Sequence, residues 1–230
     1  MDSSTGQVIR LNKFLAERIG VSRREADDLI AAGKVTVDGQ TAQIGDRIDK
    51  NAKVCYNKKV IPFETEFLYL ALNKPEGYVC SRKRQGDAPT IYELLPEKYH
   101  SLKTVGRLDK DSCGLILLTN DGDFAFQMTH PKFVKTKVYE VILDKPLAPL
   151  HQQEIADFGL QLPDGVSRLG LTRPDDERKH WQVEMSEGRN RQIRRTFAAV
   201  GYEVKFLKRL QFGKYALGKL PEGAFELVEP

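Results

Sequence analysis

One charged loop of this 230-residue chain holds the residue types that catalysis most often uses. Arg107, Asp109, Lys110 and Asp111 stand between two glycines and run into the apolar segment 115–118. A carboxylate held by neighbouring cations at the mouth of a buried strand is kept ionised, which suits a nucleophile or a general base. A structural Arg–Asp pair at a turn uses the same residue types, and the local pattern alone does not separate the two.

A second concentration of charge lies nearer the C-terminus. Residues 186–214 hold eight Lys or Arg against two acidic residues, a local charge of +6 in a chain whose formal net charge is +4. Such a cluster is typical of a phosphate-binding surface and indicates a nucleic acid as partner. The spacing predicts a helix over 191–200, with Asn190 as its N-cap. Three arginines fall within one turn of this helix: Arg191, Arg194 and Arg195.

The charged residues of both clusters must be positioned by the helices and strands around them. A buried strand is predicted at 67–72 and an apolar strand at 115–118. Further strands are predicted at 138–143, 168–173, 180–185 and 204–207, with a short strand at 78–80 and a helix over 147–158. Helices and strands mix without regular alternation, which favours an α+β fold. We place the catalytic domain at 66–230.

A smaller unit precedes it, at 10–62, after a short polar tail over residues 1–9. Apolar spacing predicts a first helix at 11–18, and Ser22 with Glu25 forms a capping box for a second helix that ends near Gly33. An Asp-Gly turn then joins two short strands.

This order of helices, turn and strands resembles the α-L RNA-binding domain, named for ribosomal small-subunit protein four. The resemblance implies RNA contact through five cations: Arg10, Lys13, Arg23, Arg24 and Lys34. Taken singly, each is equally well an ordinary solvated charge.

Composition excludes several classes of protein. Cys55, Cys80 and Cys113 lie far apart, which argues against a disulfide framework and a zinc site. There is no signal-peptide pattern and no apolar run of roughly 20 residues, so a cytoplasmic protein without membrane contact is expected. No dinucleotide fingerprint, P-loop or metal-ligand cluster occurs, so neither cofactor nor metal is expected.

The charged loop, read to residue 122 as GRLDKDSCGLILLTNDG from Gly106, resembles the signature loop of pseudouridine synthases. The branch it resembles modifies ribosomal RNA and carries an α-L domain in front. The resemblance implies a catalytic domain with a central, mostly antiparallel sheet. It also implies that Asp109 is the catalytic carboxylate, with Arg107 beside it at the RNA. The family usually has serine or threonine where this chain has Cys113.

Two further segments match the same family. KVYEV at 137–141 resembles its second motif and implies that Tyr139 stacks on the target base; an ordinary half-buried strand tyrosine fits the residues alone. EGRNRQIRRTF at 187–197 resembles its third motif and implies that Arg194 pairs with Asp109. Leu207 is expected to pack near the base. The other expected RNA contacts here are Arg189, Arg191 and Arg195.

The family's reaction breaks the N1–C1′ bond of uridine, turns the uracil and rejoins it through C5, without a cofactor. Asp109 would act either as nucleophile at C1′ or as a base that permits a glycal intermediate. The expected partner is ribosomal RNA or a ribosomal subunit assembly intermediate, met by a monomer. Two rivals remain: a non-catalytic RNA-binding assembly protein of the same fold, and a hydrolase that uses Asp109 with a histidine.

Overall fold

The computed structural model describes residues 8–64 and 66–230, which form two compact units. One comprises the described residues up to Leu68 with Ser101–Lys103 and Asn120–Gly122. The other comprises Tyr69–His100, Thr104–Thr119 and Asp123–Pro230. Most of the polar tail predicted over 1–9 lies outside the described residues, and its end was wrongly placed, because Ile9 belongs to a strand.

The first unit packs two helices on short strands. Leu11, Phe14, Leu15 and Ile30 bury the facing sides of the helices. The predicted capping box is confirmed: Glu25 N donates to Ser22 Oγ at 3.1 Å, and Ser22 N donates to Glu25 Oε2 at 2.7 Å. The elements are β1 (Ile9–Arg10), α1 (Leu11–Arg18), α2 (Arg23–Ala31), β2 (Val35–Val37), β3 (Gln40–Thr41), β4 (Arg47–Ile48), β5 (Val54–Tyr56) and β6 (Lys59–Val60).

Nine strands form the large sheet of the chain, and two more make a small hairpin. The helices are α3 (Gly122–Thr129), α4 (Pro149–Gln153), which continues into a π-helical turn at Glu154–Phe158, and α5 (Gln192–Ala199). The strands are β7 (Tyr69–Lys74), β8 (Lys103–Val105), β9 (Cys113–Thr119), β10 (Lys137–Leu143), β11 (Leu160–Leu162), β12 (Gly165–Ser167), β13 (Gly170–Thr172), β14 (His180–Met185), β15 (Val204–Phe212), β16 (Tyr215–Ala216) and β17 (Phe225–Leu227).

The order of the large sheet is β13-β14-β10-β15-β9-β7-β17, with β8 beside β9 and β16 beside β15. Neighbours along this order are antiparallel except β9 and β15, which run parallel. The predicted α+β class with a mostly antiparallel sheet is confirmed. The strand predicted at 78–80 is only an isolated bridge between Val79 and Thr90, and the strand predicted at 204–207 continues to Phe212.

The parallel pair β9–β15 comes unusually close at Gly114. A Cβ atom there would lie 2.3 Å from the carbonyl oxygen and 2.7 Å from the amide nitrogen of Arg209. Both are backbone atoms, so a side chain cannot be accommodated by rotation alone. The glycine therefore lets the strand that follows the Asp109 loop lie directly against the strand that carries Leu207 and Arg209.

Gly114→Ala should destabilise the fold much more than Gly201→Ala. Both glycines have positive φ, +98° and +84°, so both variants carry the left-handed backbone cost. A Cβ atom at Gly114 would also collide with the backbone of Arg209, whereas a Cβ atom at Gly201 would meet no atom within 4 Å. Urea unfolding should show Gly114→Ala at least about 2 kcal/mol less stable than the control, the scale of overpacking. Equal losses in the two variants would contradict the close approach.

Candidate active site

A cleft of about 470 Å³ opens in the second unit. Its walls come from the 106–112 loop, β10, β15 and the segment that enters α5. The three residues expected to be catalytic all line it: Asp109, Tyr139 and Arg194. Four of the residues expected to bind RNA line it as well: Arg107, Arg189, Arg191 and Leu207.

The Asp109 loop is fixed by its backbone rather than by its carboxylate. Leu108, buried, donates its amide to Cys80 Sγ at 3.4 Å, and the carbonyl of Lys110 accepts from Gly77 N at 2.8 Å. Ser112 N closes the turn on Asp109 O at 3.2 Å. With the loop anchored on both sides, the Asp109 side chain is left 38% exposed and open to the cleft.

Arg191 and Asp111 form the strongest ion pair of the site. Arg191 Nη1 and Nη2 donate to the two Asp111 carboxylate oxygens at 3.0 and 2.7 Å, and Nη1 lies 3.5 Å from Asp109 Oδ2. These hydrogen bonds, with the charge of Arg194, hold the pKa of Asp111 below its ordinary 3.8. A lowered carboxyl pKa means the pair is intact at neutral pH and is lost only as pH falls below 3.8.

Arg194 does not make the predicted ion pair with Asp109. Its Nη2 donates to the carbonyl of Asp111 at 2.5 Å and its Nη1 to the carbonyl of Val204 at 2.7 Å. Its Nε lies 3.4 Å from Asp111 Oδ2, and its Nη2 3.4 Å from Ser112 Oγ. The guanidinium is occupied by the backbone of the loop and of β15. Arg194 therefore holds the loop itself, and Arg191 is the arginine nearest the Asp109 carboxylate.

Helix α5 begins one residue later than the sequence predicted. The prediction that Asn190 is the N-cap of α5 is wrong. Arg191 holds that position, with left-handed φ 47° and ψ 31°, and no side chain caps the helix. A left-handed cap is costly for a residue other than glycine, and such strain is concentrated at functional sites. The side chain of this same residue bonds Asp111 and approaches Asp109.

Tyr139 lies in the middle of the sheet, 7% exposed, with its face set by cross-strand register. It is directly opposite Arg209 on β15, and Val141, two residues on, is opposite Leu207. Residues directly opposite in an antiparallel pair lie on one face of the sheet. Tyr139, Leu207 and Arg209 therefore line the same wall of the cleft.

Two cations of this wall were missed by sequence reasoning. Arg209 is 2% exposed, its Nε donates to Leu115 O at 2.7 Å, and its Nη2 has no partner among the described residues. Its guanidinium lies 5.0 Å from the Phe212 ring centroid, and Lys137 Nζ lies 5.3 Å from the same centroid. Burial, together with the charge of Arg209, lowers the pKa of Lys137. The sequence did contain a signal for Lys137: it stands two residues before Tyr139 in β10, and such residues lie on the same face of a strand.

Not every arginine of the basic segment is free for RNA. Arg195 donates to both carboxylate oxygens of Asp164, at 3.0 and 2.7 Å, and does not line the cleft. Arg189 also bonds Asp164, at 3.0 Å, and the carbonyls of Gly165 and Val166. The positive charge counted in the sequence is thus partly neutralised within the fold.

The five cations expected to bind RNA in the N-terminal unit lie at its surface. Arg10, Arg23, Arg24 and Lys34 are exposed, and Lys13 is half-buried, 3.9 Å from Glu17. Arg23 and Arg24 occupy the first turn of α2, between Ser22 and Glu25 of the capping box. Free amides and guanidiniums at a helix start are well suited to a phosphate.

Within residues 8–64 and 66–230, no group of three or more His, Cys, Asp or Glu is placed to hold a metal ion. In the same part of the chain, no helix combines the length and the apolar character that a membrane crossing requires.

Comparison with known proteins identifies the family. The sequence model of RNA pseudouridylate synthase matches residues 68–199, and that of the S4 domain matches residues 9–54. The chain therefore belongs to the RNA pseudouridylate synthase family, and it is an enzyme of that family with an N-terminal S4 domain.

Individual relatives match over most of their length. The chain is 36% identical to ribosomal small subunit pseudouridine synthase A of Pasteurella multocida, covering 94% of each chain. It is 34% identical to ribosomal large subunit pseudouridine synthase B of Salmonella typhi, covering 94% of this chain and 78% of that one. A crystal structure of a pseudouridylate synthase matches with a TM-score of 0.69 and 32% identity, covering 96% of each chain.

Arg194→Lys should lower kcat for uridine isomerisation by at least about tenfold with little change in KM. A lysine cannot reproduce the planar fork that holds the loop and β15 together. Small misplacements of a reacting group can cost roughly a hundredfold. Steady-state kinetics would measure this, with Arg195→Lys as control, because Arg195 lies on the same helix but pairs with Asp164 outside the cleft. Equal effects of the two variants would contradict the role of Arg194 as the anchor of the loop.

Proposed function

We propose that the enzyme converts a specific uridine of ribosomal RNA to pseudouridine, with Asp109 acting on the ribose. The observation that carries this proposal is the placement of the Asp109 carboxylate. It is open to the cleft that Tyr139 lines, while its loop is fixed by Arg191, Arg194 and the backbone. A carboxylate that is both positioned and accessible suits attack on a bound nucleotide.

Ribosomal RNA is the substrate class that the relatives support. The synthases similar to this chain are named for the small and for the large ribosomal subunit. The S4-domain match and the surface cations Arg10, Lys13, Arg23, Arg24 and Lys34 support binding of RNA phosphates by the N-terminal unit. Such contacts position the RNA, while its shape and unpaired bases carry the specificity. We expect the substrate to be the RNA itself or a subunit assembly intermediate, met in the cytoplasm by a monomer.

The uridine must leave its stack to reach Asp109. Flipping costs a few kcal/mol, and stacking of the uracil on the Tyr139 ring recovers about 1–3 kcal/mol. Leu207 packs at the same wall and confines the base. Arg107 and Arg191, which line the cleft, bind the phosphates next to the flipped nucleotide, while Arg189 is held by Asp164 and by the carbonyls of Gly165 and Val166.

In the reaction, the N1–C1′ bond breaks and a C5–C1′ bond forms, while C5 loses a proton and N1 gains one. Asp109 either attacks C1′ to form a covalent ester with the ribose, or removes the C2′ proton to give a glycal. In both routes the detached uracil carries negative charge. Lys137 and Arg209, which share the Phe212 ring, place two positive charges in this wall, where they stabilise that anion.

Asp109→Asn should reduce isomerisation at least a thousandfold while leaving the fold intact. The amide keeps the size of the side chain but is neither a nucleophile nor a base. Tritium released to water from ribosomal RNA labelled at uridine C5 measures the reaction, with naked RNA and assembling subunits of both sizes as substrates. Asp157→Asn is the control, because Asp157 is an exposed carboxylate that does not line the cleft.

The assay is run with and without a chelator, and we expect release that survives the chelator. No release by the wild type from any of these substrates would overturn the proposal and leave an RNA-binding assembly factor as the alternative. Release that persists in Asp109→Asn would keep the activity and remove Asp109 from its role.

A further inference from the structure

Three rings stand exposed at one edge of the cleft, where α3 ends. Phe126 is 50% exposed and Phe133 is 37% exposed. His130 completes a triangle with them: its ring centroid is 4.5 Å from that of Phe126 and 6.4 Å from that of Phe133, and the two phenyl centroids are 5.8 Å apart. We call these three residues the aromatic rim.

The geometry of the aromatic rim is set locally. Phe126 and His130 stand one helical turn apart at the end of α3, joined by the hydrogen bond from His130 N to Phe126 O at 2.9 Å. Pro131–Phe133 then form a 3₁₀ turn, which the His130 ring caps by accepting from Lys132 N at 3.2 Å. These contacts keep the rings together at the surface, although burial in a core would be the more favourable place for phenyl groups.

The aromatic rim meets the cleft at His130, on which both phenyl rings pack. Thr129, His130, Pro131 and Lys135 line the same cavity as Asp109 and Tyr139. The rim also carries positive charge, because Lys132 Nζ lies 5.8 Å from the Phe133 ring centroid. Exposed aromatic rings interleaved with cations are the composition of surfaces that hold unstacked nucleotides.

We propose that the aromatic rim stacks an unpaired base next to the target uridine, while Lys132 and Lys135 contact the adjoining phosphates. This inference rests on the proposed function and deepens it. When the uridine flips, its neighbour loses a stacking partner, and a ring at the mouth of the cleft replaces it. The occupant is a single-stranded nucleotide because the exposed area is small, aromatic and cationic, and opens directly on the site of the flipped base.

The test uses a hairpin RNA with the target uridine in its loop and 2-aminopurine at either neighbouring position. The fluorescence of 2-aminopurine is quenched when the base stacks. Binding is measured with the Asp109→Asn protein, so no turnover is needed. We expect quenching on one side of the uridine. It should be lost in the double variant Phe126→Leu, Phe133→Leu, which keeps apolar volume but removes both phenyl rings.

The same double change in the active enzyme should raise KM by about tenfold, within the range for losing one base stack, and leave kcat unchanged. Phe158→Leu is the matched control: Phe158 is 65% exposed and lies in the π-helical turn Glu154–Phe158, which contributes nothing to the cleft, whereas Phe126 and Phe133 pack on His130, which lines it. Quenching that the double variant retains, or an effect no larger than that of Phe158→Leu, would overturn the inference. Loss of quenching in the double variant, together with no isomerisation by the wild type, would support the aromatic rim and reject the proposed function.

Discussion

The ion pair between Asp111 and Arg191, backed by Arg194, is the interaction on which the site depends. It joins the loop after β8 to the segment entering α5, elements 80 residues apart in sequence. Exposed ion pairs contribute little to stability, but a bidentate arginine–carboxylate pair adds geometric specificity. The Asp111–Arg191 pair contributes here by positioning the loop. It holds the carboxylate-bearing loop against the helix, and Asp109 is the acid of the loop that lines the cleft.

The sheet supplies the second constraint. β9 follows the Asp109 loop, and β15 carries Leu207 and Arg209; the two strands meet at Gly114, where only a hydrogen fits. Cys113, next to it, is buried, and its thiol lies 3.7 Å from the carbonyl of Leu207. Burial raises the pKa of this thiol to about 11, so it stays protonated and can donate to that carbonyl. Cysteine thus serves at a position where the family usually has a hydroxyl.

Much of this arrangement could be predicted from the sequence where the determinants are local. The capping box of Ser22 and Glu25, the helix at Leu11–Arg18 and the alternation of β10 each depend on neighbours within a few residues. Asp109 and Tyr139 were placed by motif, and both line the cleft. Their catalytic roles remain proposals.

The rest depends on distant contacts that no local pattern contains. Arg191, and not Arg194, lies next to Asp109, and the left-handed backbone at Arg191 could not be read from composition. Arg209 and Lys137 meet at Phe212 only because a bulge between Val138 and Tyr139 shifts the register with β15. The group of Lys137, Arg209 and Phe212 cannot be predicted from the sequence pattern of either strand alone.

The most direct test of the account is a crystal structure of Asp109→Asn bound to an RNA loop that contains the target uridine. We predict a flipped uridine with its uracil on the Tyr139 ring and its ribose beside the substituted side chain at position 109. The C1′ or C2′ atom should then lie about 3–3.5 Å from the amide group of that side chain, the distance of a reactive approach. A uridine that stays stacked in the RNA, or a ribose bound far from position 109, would contradict the claim that Asp109 carries the reaction.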